Sequence, residues 1–449
     1  MSFPITRRTF LAGAAGVGVA GVTAAAAHNR IERALGLSGS THPSTPATSA
    51  RPPTLTHGKG ILVLVTLYGG NDGLNTVIPY TDPAYLAGRP TLGYQPNEVL
   101  TLDRDLALHP NLTGLKSLWD AKQLAVVLGV GYPNPNRSHF RSMDIWQSAV
   151  PETDEVTGWL GRWLDLGGDD PMRALSLGPT LPKVMEGAKT AAGAIPIGRL
   201  ALPGRGRIDA DFAALETPFT GQGELASRIA QSGTDLLTVV QDVGQILANQ
   251  PSNAVGSGNL EPAATDPTST PPTTASAGQG AGGPARAAAA GGELASQLDV
   301  VARLIKGGAP TQVYSVSLGG FDTHATEKDN HARLMGELDA GIVGFLKTLD
   351  ADPRGGSVLV MTYSEFGRRV AANASGGTDH GTAAPLFVAG RPVKGGFYGE
   401  QPSLTDLDQG DLKFSTDFRS VYATMIENVL GLDQRSILEG KSFPTLALV

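Results

Sequence analysis

The chain of 449 residues contains no cysteine. That excludes disulfides, thiolate metal sites and cysteine nucleophiles, so any metal must be held by His, Asp, Glu, Asn or hydroxyl oxygen. A basic stripe is missing too, and the formal net charge is -7, so no nucleic-acid partner is expected. Past the N-terminus no apolar run is long enough to cross a bilayer, and no membrane span is expected in the mature chain. What remains is ordinary for a globular protein. Hydrophobic residues make up 41%, Gly and Ala are plentiful, and the length suits one large domain or two.

The N-terminus reads MSFPITRRTFLAGAAGVGVAGVTAAAAHNR. Arg7 and Arg8 precede Thr-Phe-Leu and a soft Ala/Gly run that ends in small residues near Ala27. Residues 1–27 therefore resemble a twin-arginine export signal. The export machinery is the expected partner, and the expected location is periplasmic or extracellular. Residues 28–59, rich in Ser, Thr and Pro, read as a flexible linker. Residues 251–292 carry almost no large apolar side chain and cannot bury enough surface to offset their ordering entropy. They read as a disordered, low-complexity insertion in a single α/β domain formed by 60–250 and 293–449.

Within that domain the runs ILVLVTL, LAVVLGV, MRALSLG, TQVYSVSL, SVLVMTYS and APLFVAG read as strands, with helical periodicity between several of them. Alternation of this kind predicts a mainly parallel central sheet with helices on both faces. Asn111 is an expected cap for a helix running through Trp119, and a long helix is expected over 325–349. Trp146, Trp159 and Trp163 are expected in the core.

Polar clusters follow these strands, where open α/β sheets bind ligands. Asn71 and Asp72 sit in GGNDGLN, although NDG is also good turn chemistry. Arg137, Ser138, His139 and Arg141 open a helix, where Ser138 is either a cap or a nucleophile beside backbone N–H groups that favour an anion. Asp322 and His324 lie two apart in a turn, so both can point at one ion. His331 lies seven residues beyond His324, about 10.5 Å along a helix axis, so the two share an ion only if the helix starts late. Glu365 is either a ligand or the partner of Arg368 or Arg369. Asp379 and His380 belong to a Gly-rich turn or to the site.

Taken in order, LYGGNDGLNTVIPY, RSHFRSMDIWQSA, GGFDTHATEKDNH, TYSEFGRR, GTDHGTAAPLFVAG and STDFRSVYATMIENVLG resemble the bacterial domain of unknown function 1501 family. That family looks like a distant branch of the alkaline phosphatase and sulfatase superfamily. The resemblance implies an alkaline phosphatase-like three-layer sandwich and a divalent ion (zinc, calcium, magnesium or manganese). By it, Asp72, or Asn71, matches the acidic ligand after the first strand. Asp322 with His324 or His331 matches a later pair, and His380 matches the final His. Ser364-Glu365-Phe366 stands where the superfamily has an Asp-His pair, which removes a ligand for a second zinc. The implied metal set is Asp72, Asp322, His324, His331, Glu365, Asp379 and His380. The implied activity is hydrolysis of a small phosphate or sulfate ester by Ser138, with Asn71, Arg137, His139 and Arg141 on the substrate. The rival expectation is a non-catalytic exported protein that binds metal or ligand on the same scaffold.

Overall fold

Ile61–Leu67 is buried along its whole length, and its side chains divide by parity. Ile61, Val63, Val65 and Leu67 enter one apolar cluster while Leu62 and Leu64 enter another, as a strand covered on both faces requires. The structure is a computed structural model that describes residues 60–178, 180–197, 224–250 and 293–449. The expected export signal (1–27), linker (28–59) and insertion (251–292) lie outside the described residues.

Nine strands form the central sheet. In order along it stand Gly396–Tyr398, Leu124–Gly131, Ala384–Ala389, Val358–Tyr363, Ile61–Leu67, Val313–Leu318, Ala174–Leu177 and Gly193–Ile195, with Thr416–Asp417 pairing to Leu124–Gly131. Ala384–Ala389 runs antiparallel to both neighbours, and the other pairings in this sheet are parallel. Helices Thr113–Asp120, Glu224–Ala248, Glu293–Lys306 and Glu327–Thr348 cover one face. The other face is covered by His139–Ser148, Trp159–Asp165 and Phe418–Thr424, the last continued by a π-helical turn over Met425–Leu430. The architecture is thus the three-layer α/β arrangement that the alternating pattern predicts. Trp146, Trp159 and Trp163 are buried in the second layer. Among the described residues no helix is long and apolar enough to cross a membrane.

One cap departs from expectation. Asn111 does not cap Thr113–Asp120, because its amide donates to the Ala332 carbonyl at 2.7 Å. The free N–H groups of Gly114 and Leu115 donate instead to Asp339, a residue of the neighbouring helix, at 2.9 and 2.7 Å.

Strand direction positions the polar clusters. Ile61–Leu67, Leu124–Gly131, Val313–Leu318 and Val358–Tyr363 all point one way, so their carboxyl ends share one rim. Ala384–Ala389 points the other way, so its beginning, just after Asp379 and His380, reaches the same rim. Segments far apart in the sequence are thereby delivered to one place.

Candidate metal centre

Four side chains converge at that rim. His324 Nε2 lies 3.0 Å from His380 Nε2 and 3.0 Å from Asp322 Oδ1. His380 Nε2 and His139 Nε2 stand 3.2 and 3.5 Å from the same Asp322 oxygen. One ligand atom from each of His139, Asp322 and His380 falls within 4.8 Å of the others. Ligands at about 2.0–2.1 Å from a tetrahedral zinc would sit roughly 3.3 Å apart, which matches the approach of each of the three imidazoles to Asp322, although His324 is not in the mutually close set of His139, Asp322 and His380.

The opposite edge of each imidazole is anchored. His139 Nδ1 lies 2.8 Å from Glu365 Oε1, an oxygen that also accepts the Gly69 N–H at 2.9 Å. His380 Nδ1 lies 2.8 Å from the Arg137 carbonyl, and His324 Nδ1 lies 3.3 Å from Asp379 Oδ1. All three anchors are acceptors and favour the tautomer with the proton on Nδ1 and a lone pair on Nε2, while Asp322 Oδ1 offers the Nε2 atoms of His324 and His380 a competing acceptor. These contacts have the form that orients metal-ligating histidines. In that tautomer lone pairs of His324 and His380 face each other at hydrogen-bonding distance, beside a carboxylate oxygen. His139 Nε2 is buried and has no hydrogen-bond partner. A cation reconciles such a cluster of acceptors, as does a ring proton carried on Nε2 and given to Asp322. Burial pushes the His380 pKa below its usual value, which disfavours an added proton.

Asp322 is the pivot. Burial pushes its carboxyl up, but the hydrogen bond and charge of Arg368 prevail and hold it at about 2. Arg368 is itself buried, with Nη2 2.8 Å from Asp322 Oδ1 and further bonds to the Gly69, Gly70, Phe321 and Thr378 carbonyls. The turn after Ile61–Leu67 must stay bare to allow this packing. Gly69 has φ +117°, and a Cβ there would come within 2.4 Å of the Asp322 backbone nitrogen. The ligands are only partly covered: the Asp322, His324, His139 and His380 side chains are 49, 46, 33 and 23% exposed. One face of the cluster is open to solvent.

Asp72, Asn71 and His331 belong to a different, buried network. Asp72 forms an ion pair with Arg89, both side chains being fully buried. Burial opposes its charge, yet Arg89 and a hydrogen bond from Glu327 hold the Asp72 carboxyl well below its usual range. Glu327 is driven the other way by burial and by the Asp72 charge, so it keeps the proton it donates to Asp72. His331 Nε2 lies 3.0 Å from Asn71 Oδ1, and burial pushes its pKa down to about 4. The helix start at Glu327 puts His331 in the second turn, facing inward. Asp72 and His331 are thus set apart from the four converging side chains.

Of the helix-opening residues, His139 supplies a ring nitrogen to the cluster and Arg137 supplies its carbonyl. The Arg137 guanidinium turns to Asp411, while Arg141 turns to Asp144 and Asp154. Ser138 is exposed at the N-cap, and its side chain makes no capping bond. Ser142 is buried, donating to the Glu365 carbonyl and sharing a 2.8 Å hydrogen bond with Tyr132. Glu365 does not pair with Arg368 or Arg369; it stands behind His139. Phe366 had no expected role, and Arg368 was expected only as a partner of Glu365. The Phe366 ring lies 4.9 Å from that of His139 and 4.7 Å from that of His380. Two arginines in EFGRR were visible in the sequence, but nothing there shows which one turns inward.

Residues 251–442 match the model of one family, described as protein of unknown function DUF1501. No curated protein matches the chain. Several solved structures are distantly similar, among them the following three. Ps i-CgsB is 10% identical, with 85% of this chain and 74% of that one covered and a TM-score of 0.37. A protein in the alkaline phosphatase superfamily from Vibrio parahaemolyticus is 10% identical, with 94% and 80% covered and a TM-score of 0.36. BT1596, a 2-O GAG sulfatase, is 12% identical, with 76% and 66% covered and a TM-score of 0.29.

Proposed function

We propose that this chain binds one divalent transition-metal ion through His139, Asp322, His324 and His380, and hydrolyses a small phosphate or sulfate ester there with Ser138 as nucleophile. The supporting observation is the 3.0 Å approach of His324 Nε2 to His380 Nε2, with both atoms within 3.2 Å of Asp322 Oδ1. Three imidazoles with one carboxylate favour zinc over calcium, magnesium and manganese, which prefer oxygen. When bound, the ion supplies positive charge that stabilises the group being transferred.

The chain's own residues do the rest. Glu365, Asp379 and the Arg137 carbonyl keep the ring protons away from the centre. Arg368 fixes Asp322 and offsets part of its charge. Ser138 stands between two residues that touch the centre, at a helix N-terminus whose free N–H groups suit an anion. Export through the twin-arginine route to the periplasm or beyond belongs to the same reading.

A second reading rests on the donor count. Four protein donors complete a tetrahedron, which is the pattern of a closed, non-catalytic zinc site. The purified chain separates the two when metal content is measured by mass spectrometry and p-nitrophenyl phosphate and sulfate are assayed with and without EDTA. The hydrolase reading expects about one equivalent of metal, turnover lost with EDTA, and a loss of roughly 100-fold or more in Ser138→Ala. Stoichiometric metal without turnover on a broad ester panel leaves the closed site. A wild-type chain that takes up no more metal than His380→Ala sinks both.

A further inference from the structure

Asp411 is a carboxylate where an apolar side chain would be cheaper to bury. It is 1% exposed and lies in a short hairpin, Leu407–Asp408 paired with Asp411–Leu412. Asp408 stands directly opposite in that ladder and adds like-charge repulsion. A charge so deep is kept only when paired, and such a pair stabilises a fold little more than apolar packing would. Its partners distinguish it. Arg137 Nε lies 2.6 Å from Asp411 Oδ2, and Arg369 Nε stands 3.4 Å from Oδ1. We propose that Asp411 is a positioning residue for the metal centre, acting through Arg137 on His380 and His139, an inference that rests on the metal-binding reading above.

Arg137 is held at both ends. Its guanidinium is fixed on Asp411, and its carbonyl lies 2.8 Å from His380 Nδ1. Two residues further on, His139 brings a second ring to the cluster. Exposure gives the direction of dependence. The Arg137 side chain is 37% exposed and that of Asp411 only 2%, so an unpaired Arg137 turns to water and its backbone loses the tether to the hairpin. A positioning group must itself be fixed, and the hairpin is. Thr382 Oγ1 donates to the Leu412 carbonyl at 2.5 Å, and Leu412 is buried in an apolar cluster with Leu74, Ile78 and Tyr85. Arg369 gives a second route, because it follows Arg368, whose Nη2 lies 2.8 Å from Asp322 Oδ1. One buried carboxylate thus ties the hairpin to both chain segments that steady the ligands.

Zinc affinity of the full chain, read against a chelating dye, and the visible spectrum of the cobalt-loaded chain test this. Asp411→Asn removes the charge with little change of shape. Zinc affinity should fall about tenfold, the lower end for groups behind a ligand, and the cobalt spectrum, which reports ligand geometry, should shift. Arg137→Ala keeps the main-chain carbonyl and should do the same. Adding Asp411→Asn to Arg137→Ala should weaken binding no further, because the carboxylate acts through that arginine. Asp339→Ala, destabilised at the start of another helix, controls for a general loss of stability and should leave both readouts at wild type. Unchanged affinity and spectrum in Asp411→Asn, losses that multiply in the double variant, or a like fall in Asp339→Ala would overturn the inference and leave the metal centre standing. Should Asp411→Asn fail to fold, Arg137→Ala decides alone: a weakened affinity with a shifted spectrum supports the inference, and wild-type values overturn it. A wild-type chain that takes up no more zinc than His380→Ala removes the centre and this inference together.

Discussion

Glu365 is buried and reaches the cluster only through the His139 ring. In Glu365→Gln the side-chain amide keeps the shape but can turn an N–H toward Nδ1, favouring the tautomer that places the proton on Nε2. Metal affinity should fall about 10–100-fold, as for other partners behind a ligand, read by competition with a chelating dye. The sequence brought Glu365 and His139 to the right rim with their parts interchanged, Glu365 as ligand and His139 on the substrate. Spacing could not settle this, because the two are 226 residues apart and meet only through sheet register. Asp72 misled for a related reason: its partner Arg89 lies beyond a turn and carries no pattern of its own. His109 drew no role at all, yet it sits beside His331 with ring centroids 5.6 Å apart. Burial pushes His331 down to about 4 and His109 down to about 3. Below their ordinary value of 6.5 the unfolded chain takes up protons that the folded one refuses, so stability present above pH 6.5 is lost as pH falls toward 4 and 3. The slope approaches about 1.4 kcal/mol per pH unit for each ring. Glu327, pushed up to about 9, gains stability over the same range and offsets part of this loss, so the check is differential: from pH 7 to pH 5 the urea midpoint of the wild type should fall relative to that of His109→Gln.

At the scale of elements, the helix Thr113–Asp120 depends on a neighbour for its start. Its first residues offer no side-chain cap, and Asp339 accepts two of its free N–H groups. Asp339→Ala should cost about 1–2 kcal/mol in urea unfolding while leaving metal affinity unchanged. A cap lent by another helix is invisible to local sequence, which is why Asn111 was the expected donor of that role. The strands were far more legible. Ile61–Leu67, Leu124–Gly131, Val313–Leu318 and Val358–Tyr363 are buried on both faces and read as unbroken apolar runs. Gly396–Tyr398 and Thr416–Asp417 are too short to leave such a signal, and the reversed direction of Ala384–Ala389 has no signature in composition.

At the scale of the whole molecule, an ion at the rim would join segments carried by separate strands and so stabilise the folded chain by mass action. With free zinc at 100 times its Kd the gain is about 2.7 kcal/mol, and melting followed by circular dichroism should show EDTA lowering Tm. Excess zinc added back should restore it. An unchanged Tm in both directions would remove the ion from this account.

The wide spacing of the ligands also fixes a chronology. In zinc fingers the ligands sit within a short stretch and metal capture drives folding. Here Glu365 secures His139 across 226 positions of chain, and His324 meets His380 across 56. A denatured polypeptide offers no such chelate, so an ion bound there would load only after the sheet has closed. Refolding in a metal-free buffer should return an empty but receptive protein.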